Sequence, residues 1–340
     1  MTDQATNLPS KRWNIVLYAA GVVALAAIGL LWPDHASGAL SFTMWGLVEV
    51  APIVIPGIFL AAWIIASGAD AHIAKAFEGR ALPAVLAASA IGAVTPVCGV
   101  TVLPLMAGLL AAGVPLAPIM AFWLSSPITD PAMLATTAAT LGVAFALGKT
   151  IAALGLGVFG GLATSLFAER SWSLNALRDN SLAKRLSAAR CAGATVFEPK
   201  VWRAPERRHA FLRQTMATGR LILICLIPAF TAEYALNAAL TPGSLAAYVG
   251  EHKWWAIPAA VFVGAPAYID GYAALPLTRG LIDNGMSSGA AMAFLVSGGI
   301  VSIWGAMAIF PILRLQPFLL YLALAVTGSI AAGYAFGYVV

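Results

Sequence analysis

Two residues in this chain have the type and setting to do chemistry. Asp270 lies in the run Gly264-Ala-Pro-Ala-Tyr-Ile-Asp-Gly271, inside a long apolar stretch. A carboxylate at bilayer depth costs roughly 2.5–3.5 kcal/mol on insertion scales, so it needs a partner or a water-filled cavity. Protonation removes that cost, which suits a proton-coupled step. The plainer reading is a carboxylate satisfied by backbone donors at a helix start. Cys98 lies 172 residues earlier, in Thr95-Pro96-Val97-Cys98-Gly99. It could face the same site, or be one more small buried hydrophobe, the usual state of a free cysteine. Pro96, Gly99, Pro266 and Gly271 would shape the backbone around the two.

A third polar cluster is Ser125-Ser126-Pro127-Ile128-Thr129-Asp130-Pro131. Asp followed by Pro is a helix start, with Asp as N-cap and Pro in the first turn. Asp130 can also serve as a polar site residue, and the two roles are compatible. Ser125, Ser126, Thr129 and, at the matching place later in the chain, Ser302 offer hydroxyls to a solute. Glu233, one turn after Pro228, is a further candidate for titration. Arg220 is expected to snorkel to a membrane surface, and Arg279 with Asp283 reads as a structural i,i+4 pair.

The elements that position these residues are membrane helices. Of 340 residues, 61% are hydrophobic and 10% charged, with mean hydropathy +0.88; soluble domains carry about 25% charged residues. The net charge of +5 then reflects basic cytoplasmic loops, and nucleic acid is not implied. The three cysteines make no disulfide framework. All four histidines fall in polar connections, so no cofactor or metal is expected. The run 13–32 is too long for a signal core and reads as a retained helix.

Apolar stretches of spanning length fall at about 13–32, 41–67, 82–112, 116–147, 148–168, 212–237, 255–283, 288–311 and 317–339. The break 169–212 holds nine Lys/Arg against four Asp/Glu, which places it in the cytoplasm with the N-terminus. Within it Trp172, Leu174, Leu177, Leu182 and Leu186 predict a helix on the membrane surface, with a disordered tether as the alternative. For the linker to be cytoplasmic, one block before it must enter and leave on the same side. The block 82–112 is chosen, interrupted at Thr95-Pro96 and Leu103-Pro104.

The strongest signal is self-similarity. Residues 92–130 match 264–302 without a gap at 14 of 39 positions, an offset of 172. Leu103-Pro104-Leu105 falls on Leu275-Pro276-Leu277, and Gly113 on Gly285. The charges make the two copies opposite in orientation. The expected fold class is therefore an all-α polytopic membrane protein: two inverted repeats with broken or re-entrant helices, plus one extra N-terminal helix. The expected organisation is 1–40 N-terminus and extra helix, 41–168 first repeat, 169–212 basic linker, 213–340 second repeat. Matched broken helices in inverted repeats are the pattern of a secondary transporter.

The segment Pro96-Val97-Cys98-Gly99 through Leu103-Pro104-Leu105, Gly108-Leu109-Leu110, Gly113, Ala121-Phe122 and Ser126-Pro127 resembles the ArsP-like permeases. That is the predicted-permease family that includes organoarsenical efflux proteins. The second half, with Tyr268, Pro276, Gly285 and Ala293-Phe294, is similar to that family's second half. The resemblance covers most of 41–340 and implies a permease, export, and a site that includes Tyr268. Gly99 and Val100 stand where the family's motif has Ser and a second Cys, and Asp270 stands where the second half often has Cys. The dithiol and its substrate therefore do not carry over.

The expectation is a multi-pass permease of the cell membrane, secondary-active, moving a small solute outward with H+ as the candidate coupling ion, and not an enzyme. A passive channel and an intramembrane thiol or redox enzyme are the alternatives. The absence of HExxH and GxSxG motifs counts against a hydrolase.

Overall fold

The computed structural model describes residues 33–69, 81–95, 102–111, 113–179, 197–239, 255–267, 274–301, 306 and 309–340. The expected first helix, 13–32, lies outside them. The described residues form α-helices: α1 Pro33–Ser67, α2 Ala81–Val94, α3 Leu103–Ala111, α4 Leu116–Ser125, α5 Pro131–Leu141, α6 Val143–Ser165, the single turn α7 Ser171–Leu174, α8 Pro205–Ala239, α9 Ala256–Ala267, α10 Ala274–Asp283, α11 Ser288–Ile300 and α12 Leu315–Val339. With three or more apolar helices, one of them long and bent, this is a multi-pass membrane architecture.

Fewer helices are long enough to cross alone than the sequence predicts. Among the described residues Val143–Ser165, Pro205–Pro228 and Leu315–Val339 qualify by length and composition, and His35–Glu49 with Val54–Ser67, bent by 54° at the break between them, make a fourth where the pair is counted as one span. Pro52 and Pro56 lie at and just past that bend, where each removes a backbone donor. The other apolar stretches count residues across breaks. The block 116–147 divides into α4, a break at 126–130, and α5; the chain then turns at Gly142 straight into α6. The predicted boundary at 147/148 falls inside α6, because Lys149 is buried there and marks no loop. Helices α3 and α4 have 9 and 10 residues. At 1.5 Å per residue each reaches about 15 Å, half of a ~30 Å hydrocarbon core.

The break in 82–112 appears where Thr95-Pro96 places it, between α2 and α3. Leu103-Pro104 is a helix start and not an interruption. Pro104 sits in the first turn of α3 and Pro276 in the first turn of α10, where a missing N–H costs no intrahelical bond. Both ends of the block lie at one end of the bundle. Val85 of α2 abuts Gly161 near the close of α6. The α3–α4 turn shares a cavity wall with Thr164 and Ala168.

Segments 172 residues apart adopt the same local structure. Helices α1 and α8 both begin at proline and run 35 residues. The α3–α4 turn closes with Gly113 N–H to Leu110 O (3.0 Å) and Val114 N–H to Leu109 O (3.0 Å). The α10–α11 turn repeats this with Gly285 to Ile282 (2.9 Å) and Met286 to Leu281 (3.0 Å). Gly113 and Gly285 have φ of 89° and 94°, the left-handed geometry that closes a helix end and favours glycine. Gly161 packs on Val85 and Ala121, and Gly333 on their counterparts Ile257 and Ala293.

Corresponding helices also cross each other antiparallel. On α1 and α8, Gly38 meets Tyr234, Gly46 meets Phe230, and Phe59 stacks on Phe211 at 6.0 Å. On α6 and α12, Gly148 meets Phe336 and Leu156 meets Gly328.

The basic linker is built into one end of the bundle. Among the described residues of the predicted surface helix, helical structure stops at Leu174. After α7 the chain extends, and Leu177 bridges antiparallel to Leu313; residues 180–196 lie outside the described residues. Arg178 donates from N to Ile312 O (2.8 Å) and from Nε to Leu313 O (2.6 Å), and its guanidinium lies 4.3 Å from the Phe310 ring centroid. At the far end, Glu198 N–H and Arg207 Nη1 donate to Ser67 O at 3.1 and 2.8 Å. They satisfy carbonyls that the end of α1 leaves without intrahelical partners. The last linker residues, 205–212, already belong to α8.

Candidate functional site

Pro96, Cys98, Gly99, Tyr268, Asp270, Gly271 and Ser302 lie outside the described residues, as does the side chain of Glu233. Their flanks are described. Cys98 falls in the connection from Thr95 to Leu103 and Asp270 in that from Ala267 to Ala274, both between short helices. Pro266 is the next-to-last residue of α9. Before the first connection, Thr95 Oγ1 donates back to Ile91 O at 2.5 Å and holds the end of α2.

The hydroxyl of Ser125 is used inside the protein. It is fully buried and donates to Ala121 O (3.0 Å) and Phe122 O (3.1 Å), pressed against Gly92. Its counterpart Ser297 donates to Phe294 O at 3.2 Å and packs on Gly264 in the same way. Each serine–glycine contact brings two helices together, a packing use of small residues common in membranes. Ser126 and Thr129 are buried. Asp130 is the N-cap of α5: its Oδ1 accepts from Ala132 N (2.8 Å) and Met133 N (2.9 Å). Capping is thus part of its role.

The break at 126–130 faces the end of α11. A Cβ placed on Gly299 would come 2.8 Å from Pro127 O, and Pro127 and Gly299 correspond under the 172 offset. Beside this contact Tyr321 donates to Ile300 O at 2.5 Å and stacks on Trp123, with centroids 4.4 Å apart. The bond satisfies a carbonyl at the close of α11, which a dry interior requires.

A residue that sequence reasoning passed over belongs to this centre. Lys149 is 3% exposed, inside the spanning helix α6. An ammonium at bilayer depth costs about 2.5–3.5 kcal/mol on insertion scales and is by default a functional residue. The signal was present: a lone Lys in an apolar run that continues on both sides.

Two cavities among the described residues are lined by the α3–α4 hairpin. One, of about 270 Å3, lies among α1, α2, α3 and α4 next to the break after Thr95; Leu60, Met106 and Phe122 line it, and its walls are almost entirely apolar. The other, of about 500 Å3, lies at the linker end between the α3–α4 turn, Thr164, Ser173, Asn175 and Arg314.

This arrangement of short paired helices around facing breaks is that of a multi-pass membrane protein. The profile of the ArsP-type family, described as predicted permeases, matches residues 35–338, and the chain is a member of that family. It is 24% identical over 326 residues to a UPF0718 protein of Methanocaldococcus jannaschii, covering 82% of this chain and 89% of that one. No solved structure matches the chain. Membership makes the protein a predicted permease, embedded in a membrane and acting on a small molecule.

Proposed function

We propose that the protein is a secondary-active carrier that exports a small solute across the cell membrane in exchange with protons. Its halves, 41–168 and 213–340, act as inverted repeats about a two-fold axis in the membrane plane, and the linker and N-terminus face the cytoplasm. One observation carries this reading. Corresponding helices cross antiparallel, α1 on α8 and α6 on α12, and the corresponding break residues Pro127 and Gly299 touch. A pair of segments that meet their own counterparts antiparallel is what such an axis requires. Inverted repeats with interrupted helices support alternating access by rocking one half against the other around a midplane site.

Asp270 is assigned the proton and Cys98, Tyr268 and Ser302 the remaining polar surface of the solute site, with Ser126, Thr129 and Asp130 at the break between α4 and α5. The test is counterflow in proteoliposomes, using solutes selected from a resistance panel of toxic compounds that includes arsenicals. Wild type should accumulate the solute against its gradient when a pH gradient is imposed. Asp270→Asn should fold and lose that dependence, and Cys98→Ser should alter solute affinity. Accumulation driven equally well by Asp270→Asn would remove the proton assignment. Flux that never exceeds the solute gradient would make the protein a channel.

A further inference from the structure

We propose that Lys149 is the cationic residue of the translocation site, and that its ammonium receives an anionic headgroup, a carboxylate or phosphonate, on the solute. This rests on the carrier reading above and names the solute's chemistry. Lys149 is the seventh residue of α6, whose other residues from Val143 to Ser165 carry no charge. Its neighbours on the helix place it at the junction of the two halves. One turn earlier, Phe145 packs on Phe336 with centroids 4.7 Å apart, and Gly148 lies against Phe336 and the Met292 methyl. Two turns later, Leu156 covers Gly328. Under the 172 offset Lys149 corresponds to Tyr321, whose hydroxyl is committed to Ile300 O. The first half therefore carries an ionisable amine where the second carries a phenol hydroxyl.

Among the described residues, few titratable groups lie on the helices packed against α6. Helices α2, α4, α5, α11 and α12 pack on α6. The first four contain no titratable residue, and α12 contributes Tyr321, Tyr334 and Tyr338. The carboxylate that these elements bring is Asp130, the cap of α5, with Oδ1 held by two backbone N–H groups. A capped carboxylate close by in the chain suits exchange. Asp130 balances the ammonium while the site is empty, and the solute's anion takes that place during passage. A charge exchanged between a fixed partner and a passing ion avoids exposing a bare ammonium to hydrocarbon at any stage.

The test uses purified full-length protein in detergent, with thermal unfolding read against benzoate, phenylphosphonate and the neutral ring analogue benzyl alcohol. The anions should raise the wild-type midpoint saturably while benzyl alcohol does not. Lys149→Met should lose this response and Lys149→Arg should keep it. Asp130→Asn, which preserves a capping side chain, should bind the anions more tightly because the competing charge is gone. If Lys149→Met does not fold, Asp130→Asn decides: unchanged anion affinity overturns the proposal. Equal stabilisation by benzyl alcohol, no anion response in wild type, or an unaltered response in Lys149→Met also overturns it. Anion binding without counterflow in proteoliposomes would sink the carrier reading and leave the Lys149 site standing. Counterflow with wild-type behaviour in Lys149→Met would do the reverse.

Discussion

The two hairpins α3–α4 and α10–α11 share one frame and differ in what it holds. Both turn on a left-handed glycine with the same pair of carbonyl bonds, and both press a serine against a glycine of the preceding helix. The surfaces diverge. Helix α3 is apolar throughout and lines a cavity of about 270 Å3. Helix α10 has Thr278 where α3 has Met106, and carries Arg279 and Asp283 on its exposed side, 3.1 Å apart. Positions that correspond across the frame but differ in charge include Cys98 with Asp270, Asp130 with Ser302, Ala107 with Arg279, and Lys149 with Tyr321. In this molecule small residues maintain the frame and their neighbours carry the distinction between halves.

The largest test of that division is at the frame. Gly161→Leu would drive a side chain into Val85 and Ala121, and Gly333→Leu into Ile257 and Ala293. Each should lower stability by about 1–3 kcal/mol or prevent folding, measured by thermal unfolding in detergent. A clear difference between the two would show that the halves do not share the frame equally. Next, Tyr321→Phe strips the donor from the buried Ile300 carbonyl and should cost about 1–3 kcal/mol. Unchanged stability would mean water replaces the hydroxyl. Asp130→Ala removes both the α5 cap, worth about 1 kcal/mol, and the charge that balances Lys149, so it should cost more than Asp130→Asn, which keeps the cap and removes only the charge. Similar losses in both would give the carboxylate's charge a stabilising role beyond capping. The smallest effect belongs to the surface of α10, where each side chain of the Arg279–Asp283 pair is 55% exposed. Arg279→Ala should change stability by no more than about 0.5 kcal/mol.

Much of the frame could be read from the residues. Pro96 after Thr95 ends α2, Asp130-Pro131 starts α5, and glycines matched at 113 and 285 mark the turns, because each acts locally through backbone geometry. The lengths of the spans were not legible. An apolar run looks the same whether continuous or folded on itself, so 116–147 concealed two helices and a break. Lys149 was passed over, although a lone Lys within an apolar run marks it, because its burial depends on what the helix packs against. Ser125 looked available to a solute, but its hydroxyl returns to its own helix. The linker deceived in the opposite sense. Its leucines and arginines suggested a surface helix, while the arginines instead find carbonyls at Leu313 and Ser67, partners more than 130 residues away.

Those distant partners have a consequence for assembly. The acceptors for Arg178 lie at 312 and 313, so that latch cannot close until most of the second half has left the ribosome and entered the bilayer. Until then the first half waits with one end unsealed. Latching of 176–178 onto 312–314 therefore marks completed insertion, and quality-control proteases would find the tether most open to cutting in the interval before it.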